Sequence, residues 1–88
     1  MQITVKYLMT FSQLTGKKSE KVDLPEGTTI EKLLEHLIVK YGRTFRKALE
    51  LDIDNRSVLY MANAVNGELS TVLNNNDEVL ISYPVGGG

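Results

Sequence analysis

The stretch TTIEKLLEHLIVKYG, residues 28–42, carries the strongest secondary-structure signal in the chain. Thr28 and Glu31 have the spacing of a capping box, and Gly42 stands where a left-handed C-cap is expected. A helix of about 13 residues with one apolar side needs a sheet to pack against. The apolar residues recur at intervals of three and four, as on one face of a helix: Ile30, Leu33, Leu34, Leu37, Ile38 and Tyr41.

Two strands are predicted upstream of this helix. Residues 3–9 alternate, with Ile3, Val5, Tyr7 and Met9 on one face, and residues 20–24 alternate again. The polar residues 15–18 between them include a glycine and favour a turn. We therefore expect residues 3–24 to form an antiparallel hairpin with a longer loop.

Downstream of the helix the first segment is less regular. Phe45, Ala48, Leu49 and Leu51 indicate a short helical turn, and residues 52–56 are typical of an exposed loop.

The remaining residues predict three more strands. Residues 58–65 are typical of a strand, Asn66-Gly67 predicts a tight hairpin turn, and residues 68–69 would begin a short partner strand. Leu73 is expected in the core, followed by a polar turn over residues 74–77. The final strand is predicted over residues 78–83 and ends at Pro84, which has no N–H to donate. This order of elements indicates an α+β fold.

Composition excludes several classes of function. Eighty-eight residues make one small domain, and a formal charge of −1 gives no basic footprint for nucleic acid. No apolar run approaches the roughly 20 residues of a membrane helix. The first residues lack a signal-peptide pattern, so a cytoplasmic location is expected. The absence of cysteine removes disulfides, thiolate metal ligands and thiol catalysis.

Motifs for catalysis or metal binding are incomplete. Gly16-Lys17 lacks the earlier glycine of a phosphate-binding loop, because Phe11 stands at that position. His36 is the only histidine and has no second histidine or cysteine ligand, so a surface histidine is expected and no metal site is predicted. We expect no active site within this chain.

The chain ends in three glycines, Gly86, Gly87 and Gly88. Glycines cannot pack into a core and are entropically costly to order, so three in succession indicate backbone presented to a narrow pocket of another protein. A frayed terminus is the alternative interpretation. We expect a folded domain over residues 1–84 and a flexible tail over residues 85–88.

The end of the chain resembles the MoaD/ThiS family of ubiquitin-like sulfur carriers. That family typically has Asp-Glu-Val in its last strand and a Pro-Pro-Val-X-Gly-Gly ending, and this chain has Asp77-Glu78-Val79 followed by YPVGGG over residues 83–88. Val65-Asn66-Gly67, the capped helix and the first strand extend the resemblance over the whole chain. It implies a β-grasp fold, with a mixed sheet of four to five strands wrapped on one main helix.

The resemblance also implies a chemistry for the tail. Gly88 would be adenylated by a ubiquitin-activating-type enzyme that uses ATP, and sulfur from a donor protein would convert it to a thiocarboxylate. The carrier would bind no cofactor, and the catalytic residues would lie on its partners. Five residues would form the partner-binding part of the tail: Tyr83, Pro84, Val85, Gly86 and Gly87.

The resemblance leaves three functions open. The first is the small subunit of molybdopterin synthase, in which the tail inserts into a larger catalytic subunit and delivers sulfur to the pterin precursor during molybdenum cofactor biosynthesis. The second is a sulfur carrier for thiamine or tRNA thiolation, or a protein modifier joined to lysines. Tyr83 and Ser82, which stand where many relatives have proline and phenylalanine, keep this second function open. The third is a ubiquitin-like binding module with an inert tail.

Overall fold

The computed structural model describes residues 1–50, 59–62, 65–66 and 68–82, with side chains described for residues 1–49 and 68–82. The elements follow one another as β1 (Gln2–Tyr7), α1 (Thr10–Thr15), β2 (Ser19–Asp23), α2 (Ile30–Tyr41), α3 (Arg43–Glu50), β3 (Leu59–Ala62), β4 (Val65–Asn66) and β5 (Glu78–Ser82). Helices and strands are thus both present, which confirms the predicted α+β class.

The described strands form one mixed sheet of five strands in the order β2-β1-β5-β3-β4. β1 and β5 are parallel neighbours in the middle, whereas β1 pairs antiparallel with β2 and β3 pairs antiparallel with both β4 and β5. The sheet packs against α2, and this arrangement confirms the predicted β-grasp fold.

The core lies between α2 and the inner face of the sheet. Ile38 and Tyr41 are half-buried at its margin, and Leu73 is buried as predicted. Each fully buried large apolar side chain contributes about 1.5–3 kcal/mol to folding. The central side chains with no exposed surface are Ile3, Val5, Ile30, Leu33, Leu37, Val79 and Ile81.

The N-terminus of α2 lies one residue later than the predicted capping box. Thr29 is the N-cap, and its hydroxyl accepts a hydrogen bond of 3.3 Å from the backbone N–H of Lys32. The Thr28 hydroxyl instead donates to the carbonyl of Pro25 at 2.6 Å, and the Thr28 carbonyl accepts from the backbone N–H of Leu73 at 2.8 Å. Thr28 is therefore tied to the turn before the helix, and the Thr28–Glu31 capping box is wrong.

Gly42 ends α2 with a positive φ of 88°, as predicted, but its ψ of −163° lies outside the left-handed helical region. Its backbone N–H donates to the carbonyl of Ile38 at 2.7 Å. The chain enters α3 at the next residue, so Gly42 turns the chain directly from one helix into another. The helical turn predicted from Phe45 and Ala48 is confirmed and extends over the eight residues of α3.

The predicted hairpin over residues 3–24 is wrong in its connection. β1 and β2 do pair antiparallel, but β1 ends at Tyr7 and the short helix α1 follows it. Phe11 on α1 is fully buried, which explains why a helix forms where a loop was predicted. The helix ends at Gly16, whose φ of 74° and ψ of 14° are those of a left-handed C-cap.

The predicted turn at Asn66-Gly67 is also wrong. Asn66 lies in β4, where it pairs with Met61, and Val65 pairs with Ala62. These pairs place residues 59–62 and 65–66 on two antiparallel strands, so the predicted single strand over residues 58–65 is wrong. Residues 68–69 do not form a partner strand. Gly67, Val58 and the loop predicted over 52–56 lie outside the described residues.

A cluster of polar groups joins the helices to the edge of the sheet around Glu20 on β2. The Tyr7 hydroxyl donates to Glu20 Oε2 at 2.6 Å, and the Tyr41 hydroxyl donates to the same oxygen. Lys40 Nζ donates to Oε1 at 2.6 Å, and Lys17 Nζ lies 3.3 Å from Oε1. The Glu20 side chain is only 8% exposed. This carboxylate therefore links β1, β2, α2 and the loop before β2.

Four aromatic rings pack beside this carboxylate cluster. Tyr7 meets Tyr41 and Phe45 edge-on at centroid distances of 6.3 and 6.4 Å. Phe45 also packs against Phe11 and stacks on Tyr41, both at 5.6 Å. Edge-to-face pairs at these distances contribute about 0.5–1.5 kcal/mol each beyond area burial. The rings fix α1 and α3 to the end of the sheet at which β1 stops.

The cluster shifts the pKa of Glu20 in a direction set by its hydrogen bonds. Burial favours the neutral acid, but the donors Lys40, Tyr41, Tyr7 and Lys17 outweigh it and lower the pKa of Glu20 to about 2. Because the carboxylate binds its proton less readily in the folded chain, the cluster stabilises the fold above the unfolded pKa, near 4.5. This stabilisation is lost as the pH falls from about 4.5 towards 2.

We predict that Glu20→Gln lowers the free energy of unfolding at pH 7 by about 3 kcal/mol at most, because the charge-assisted hydrogen bonds are lost. The difference between the variant and the parent should shrink as the pH falls from about 4.5 towards 2. Urea unfolding at pH 7 and pH 3 measures both effects. Glu35→Gln is the matched control. Glu35 is exposed, and its ion pair with Lys32 is long, at 4.0 Å, and open to solvent. An equal pH dependence for parent and Glu20→Gln would contradict this role of the cluster.

Candidate functional site

All of the predicted site residues lie outside the described residues: Tyr83, Pro84, Val85, Gly86, Gly87 and Gly88. The predicted boundary between a domain over 1–84 and a tail over 85–88 also lies there. The structure does describe Ser82, the last residue of β5, from which these six residues continue. At one edge of the sheet, β1 ends at Tyr7 and β5 ends at Ser82. We call this edge the Ser82 end of the sheet.

β5 is held on both sides at the Ser82 end. On one side it runs parallel to β1, with Tyr7 opposite Ile81, and the Leu8 backbone N–H donates to the Ile81 carbonyl at 3.2 Å. On the other side Ser82 pairs with Leu59 of β3. Ile81 has no exposed surface and Ser82 is 3% exposed. The last described residues of the chain therefore belong to a buried, hydrogen-bonded strand.

The open face of the sheet, opposite the helices, carries both charge and apolar surface near β5. Lys6 and Glu78 form an ion pair of 3.4 Å between exposed side chains. Leu80, opposite Lys6 in the parallel register, is half-buried. The β3 register aligns Met61 with Leu80 and Leu59 with Ser82, whereas Tyr60 and Ala62 pair with buried core residues of β5. The sequence alone did not distinguish whether Leu59 and Met61 or Val58 and Tyr60 face outward.

An open groove of about 470 Å³ runs beside the Ser82 end. Leu8 and Met9 are 44% and 57% exposed at its border. The Met9 backbone has a φ of 53° and a ψ of −124°, in a region that side-chain-bearing residues rarely adopt. The lining includes Lys6, Leu8, Met9, Ser12, Lys18 and Leu80.

The described residues offer little that could hold a metal ion. No group of three or more histidine, cysteine, aspartate or glutamate side chains gathers among them. His36 is exposed on α2, as predicted from the helical pattern. None of the helices in the described part of the chain has the length and apolar character to cross a bilayer.

Comparison with known families accounts for the fold and the glycine ending together. The ThiS family model matches residues 5–88. The chain belongs to the ThiS family. The resemblance drawn from the sequence is therefore confirmed, and the chain is a member of the ThiS/MoaD-like, ubiquitin-like sulfur carriers. No curated protein sequence matches the chain at a significant level.

Solved structures of the same fold carry names from several pathways. The putative molybdopterin converting factor subunit 1 of Pyrococcus furiosus is 27% identical, with a TM-score of 0.81 over 97% of this chain and 99% of its own. Small archaeal modifier protein 1 of Methanosarcina acetivorans is 23% identical, with a TM-score of 0.76 over 99% of this chain and 96% of its own.

A third structure is the complex of subunits 1 and 2 of molybdopterin-converting factor from Helicobacter pylori. Its match is 15% identical, with a TM-score of 0.64 over 100% of both chains. In that complex subunit 1 is bound to subunit 2. These names span more than one pathway, so the comparisons establish the family and leave the sulfur recipient to be proposed.

The sequence interpretation missed the surface at the Ser82 end. Leu8 and Met9 were included in a strand, because alternation continued through them, and Met9 was placed on the same face as Ile3, Val5 and Tyr7. The signal that could have corrected this is Phe11 and Leu14 at helical spacing before Gly16, which indicates a short helix directly after Tyr7.

We predict that deleting residues 85–88 leaves the midpoint of thermal unfolding unchanged within about 1 °C, because the described core lies within residues 1–82. Ile81→Ala serves as the control and should cost about 2–5 kcal/mol, since it removes fully buried side-chain atoms. Calorimetry compares the three proteins. A marked loss of stability in the truncated chain would show that the tail belongs to the folded domain.

Proposed function

We propose that this chain carries sulfur as a thiocarboxylate on Gly88, and that it serves as the small subunit of a molybdopterin synthase. The observation that supports the carrier role most directly is the family match, which runs through the glycine ending to residue 88. The 27% identity to a putative molybdopterin converting factor subunit supports the pathway.

The proposed chemistry takes place in two steps on the terminal carboxyl group. The Gly88 carboxylate attacks the α-phosphate of ATP on an adenylating enzyme, which forms an acyl adenylate and releases pyrophosphate. Hydrosulfide supplied by a sulfur donor protein then attacks the acyl carbon, AMP leaves, and the thiocarboxylate remains. Delivery of the sulfur to an acceptor and hydrolysis restore the carboxylate. Because the chain has no cysteine, it has no thiol that could carry sulfur as a persulfide.

The folded strands and the tail have different roles in this proposal, and Ser82 lies at the boundary between them. The folded strands hold Ser82 in place, and the six residues beyond it can reach at most about 20 Å. The side chains Tyr83, Pro84 and Val85 would contact the entrance of a partner's pocket. Gly86 and Gly87 have no Cβ, so they would pass through a narrow channel that brings Gly88 to ATP.

The partner proposed to receive the tail is the larger catalytic subunit of molybdopterin synthase, in which the sulfur would pass to the pterin precursor. In the Helicobacter pylori complex a protein of this fold is bound to its subunit 2. A second candidate is a protein modifier linked through Gly88 to lysines. Tyr83, which stands where a proline is usual in the MoaD ending, favours a different partner and so supports this candidate.

We predict that Gly87→Val abolishes adenylation, measured as ATP–pyrophosphate exchange with a purified ubiquitin-activating-type enzyme, without changing the unfolding midpoint. A branched Cβ would obstruct the channel and restrict the backbone dihedrals. Ser70→Val is the matched control, because it adds the same side chain in an exposed turn away from the Ser82 end. Normal exchange by Gly87→Val would contradict the narrow-channel role of the tail.

Deletion of Gly88 alone tests the position of the reactive carboxyl group. The shortened chain would end at Gly87 and would present its carboxylate about 3.5 Å short of the ATP. We expect no exchange above background. Full exchange would assign the reaction to the end of the chain regardless of which residue occupies it.

A further inference from the structure

β2 is an outer strand of the sheet and has β1 as its one neighbour among the described strands. The Leu24 backbone N–H donates to the Met1 carbonyl at 2.8 Å, and the Met1 amino group donates to the Leu24 carbonyl at 2.8 Å. Bonded and unbonded positions alternate along an antiparallel pair, so Val22 and Glu20 also bond to β1. The backbone N–H and C=O groups of the intervening residues therefore point away from the sheet: Ser19, Lys21 and Asp23.

The side chains along this edge carry opposite charges on one face of the sheet. Val22 is buried on the helix side, so the alternation of a strand places Lys21 and Asp23 on the open face. Both side chains are exposed, and neither forms an ion pair with a described residue. The edge thus displays a cation and an anion two positions apart, beside backbone groups that no described strand pairs.

This pattern of charge is complementary to a second copy of the same strand. A lysine on an edge strand usually discourages pairing. Antiparallel pairing of two β2 strands about Val22, however, puts Lys21 of each copy opposite Asp23 of the other. Both positions have outward-pointing backbone groups, so each such pair exchanges its backbone hydrogen bonds and also forms an ion pair on the open face. Pairing about Lys21 would instead put two lysines opposite each other, which is unfavourable.

We propose that this chain forms a symmetric dimer through antiparallel pairing of β2 with β2 of a second copy, in the register centred on Val22. The two five-stranded sheets then join into one continuous sheet. Strands this short bury less than the roughly 1,200 Å² of a standard interface, so the dimer is weak and depends on protein concentration. Its formation does not depend on the chemistry of Gly88.

The dimer separates the two copies of the Ser82 end. β5 is parallel to β1 and β1 is antiparallel to β2, so the two β5 strands of the dimer run in opposite directions. The two Ser82 ends therefore lie at opposite edges of the joined sheet. Four strands lie between the two β5 strands, which are thus about 24 Å apart across the sheet. The dimer thereby presents two carriers at once, one at each edge.

The test is sedimentation equilibrium of the full chain at concentrations up to about 1 mM. The parent should show a monomer–dimer equilibrium. Lys21→Glu and Asp23→Lys should each raise the dissociation constant about tenfold or more, because both symmetric pairs exchange attraction for repulsion. Lys47→Glu makes the same change of charge on an exposed residue of α3, away from the sheet edge, and should behave as the parent. A parent that remains monomeric at the highest concentration would overturn the dimer.

Combined variants test the register. The double variant Lys21→Glu/Asp23→Lys restores opposite charges about Val22 and should dimerise as the parent does, whereas pairing about Lys21 would still set like charges opposite each other. An equimolar mixture of the two single variants should dimerise more tightly than either variant alone. A double variant as weak as the single variants would overturn the register centred on Val22.

Lys21→Pro tests the backbone pairing separately from charge. Proline removes an N–H that points away from β1, so the hydrogen bonds between β1 and β2 remain and the chain should stay folded by circular dichroism. The dimer should be lost, because this N–H bonds to the other copy. A folded Lys21→Pro variant that dimerises as tightly as the parent would show that the copies associate through another surface.

Discussion

The parallel pairing of β1 with β5 is the constraint on which the rest of this structure depends. These strands lie at opposite ends of the chain, yet they are hydrogen-bonded neighbours in the middle of the sheet, from Thr4 with Glu78 to Tyr7 with Ile81. A parallel pair cannot be closed by a tight turn and requires a crossover, here provided by the segment that contains α2. The pairing also brings the end of β1 and the end of β5 to one edge. The end of β5 at Ser82 and the exposed side chains Leu8 and Met9 are therefore neighbours as a consequence of topology.

The Glu20 cluster and the aromatic rings reinforce that same edge. Tyr7 is the last residue of β1, and its hydroxyl is held by Glu20 while its ring packs against Tyr41 and Phe45. Burial together with hydrogen bonding to the Glu20 carboxylate raises the pKa of Tyr7, so its hydroxyl remains a donor at any physiological pH. The strand end that supports Ile81 is thus fixed from the core side. Such a fixed strand end suits the proposed carrier role, in which the residues beyond Ser82 deliver one atom to a partner's active site.

Elements with strong hydrophobic periodicity could be predicted from the sequence. The predictions were wrong where tertiary contacts determine the local structure. The stripe of α2 and the burial of Leu73 followed from pattern alone. The helix α1 was missed because alternation through Met9 favoured a longer strand, while the burial of Phe11 determined the outcome. Asn66-Gly67 has a strong local turn preference, yet pairing of Asn66 with Met61 prevailed.

Part of the candidate site could likewise be predicted from the sequence, and part could not. The glycine ending and its family were accessible from the sequence, because they depend on residue identity and order. The exposed position of Leu8 and Met9 beside Ser82 was not accessible, because it arises from a pairing between residues more than 70 positions apart. The backbone conformation of Met9 has no counterpart in the local sequence pattern, since neither glycine nor asparagine marks it.

The intact mass of this protein, recovered from its own cells without reducing or alkaline treatment, tests the carrier role most directly. The proposed function predicts a population heavier by one exchange of oxygen for sulfur, with fragment ions that map the change to Gly88. A free carboxylate throughout, with no sulfur gained after incubation with the activating enzyme, ATP and a sulfur donor, would contradict it. Gly88 found joined to lysines of larger proteins in place of the thiocarboxylate would identify a modifier.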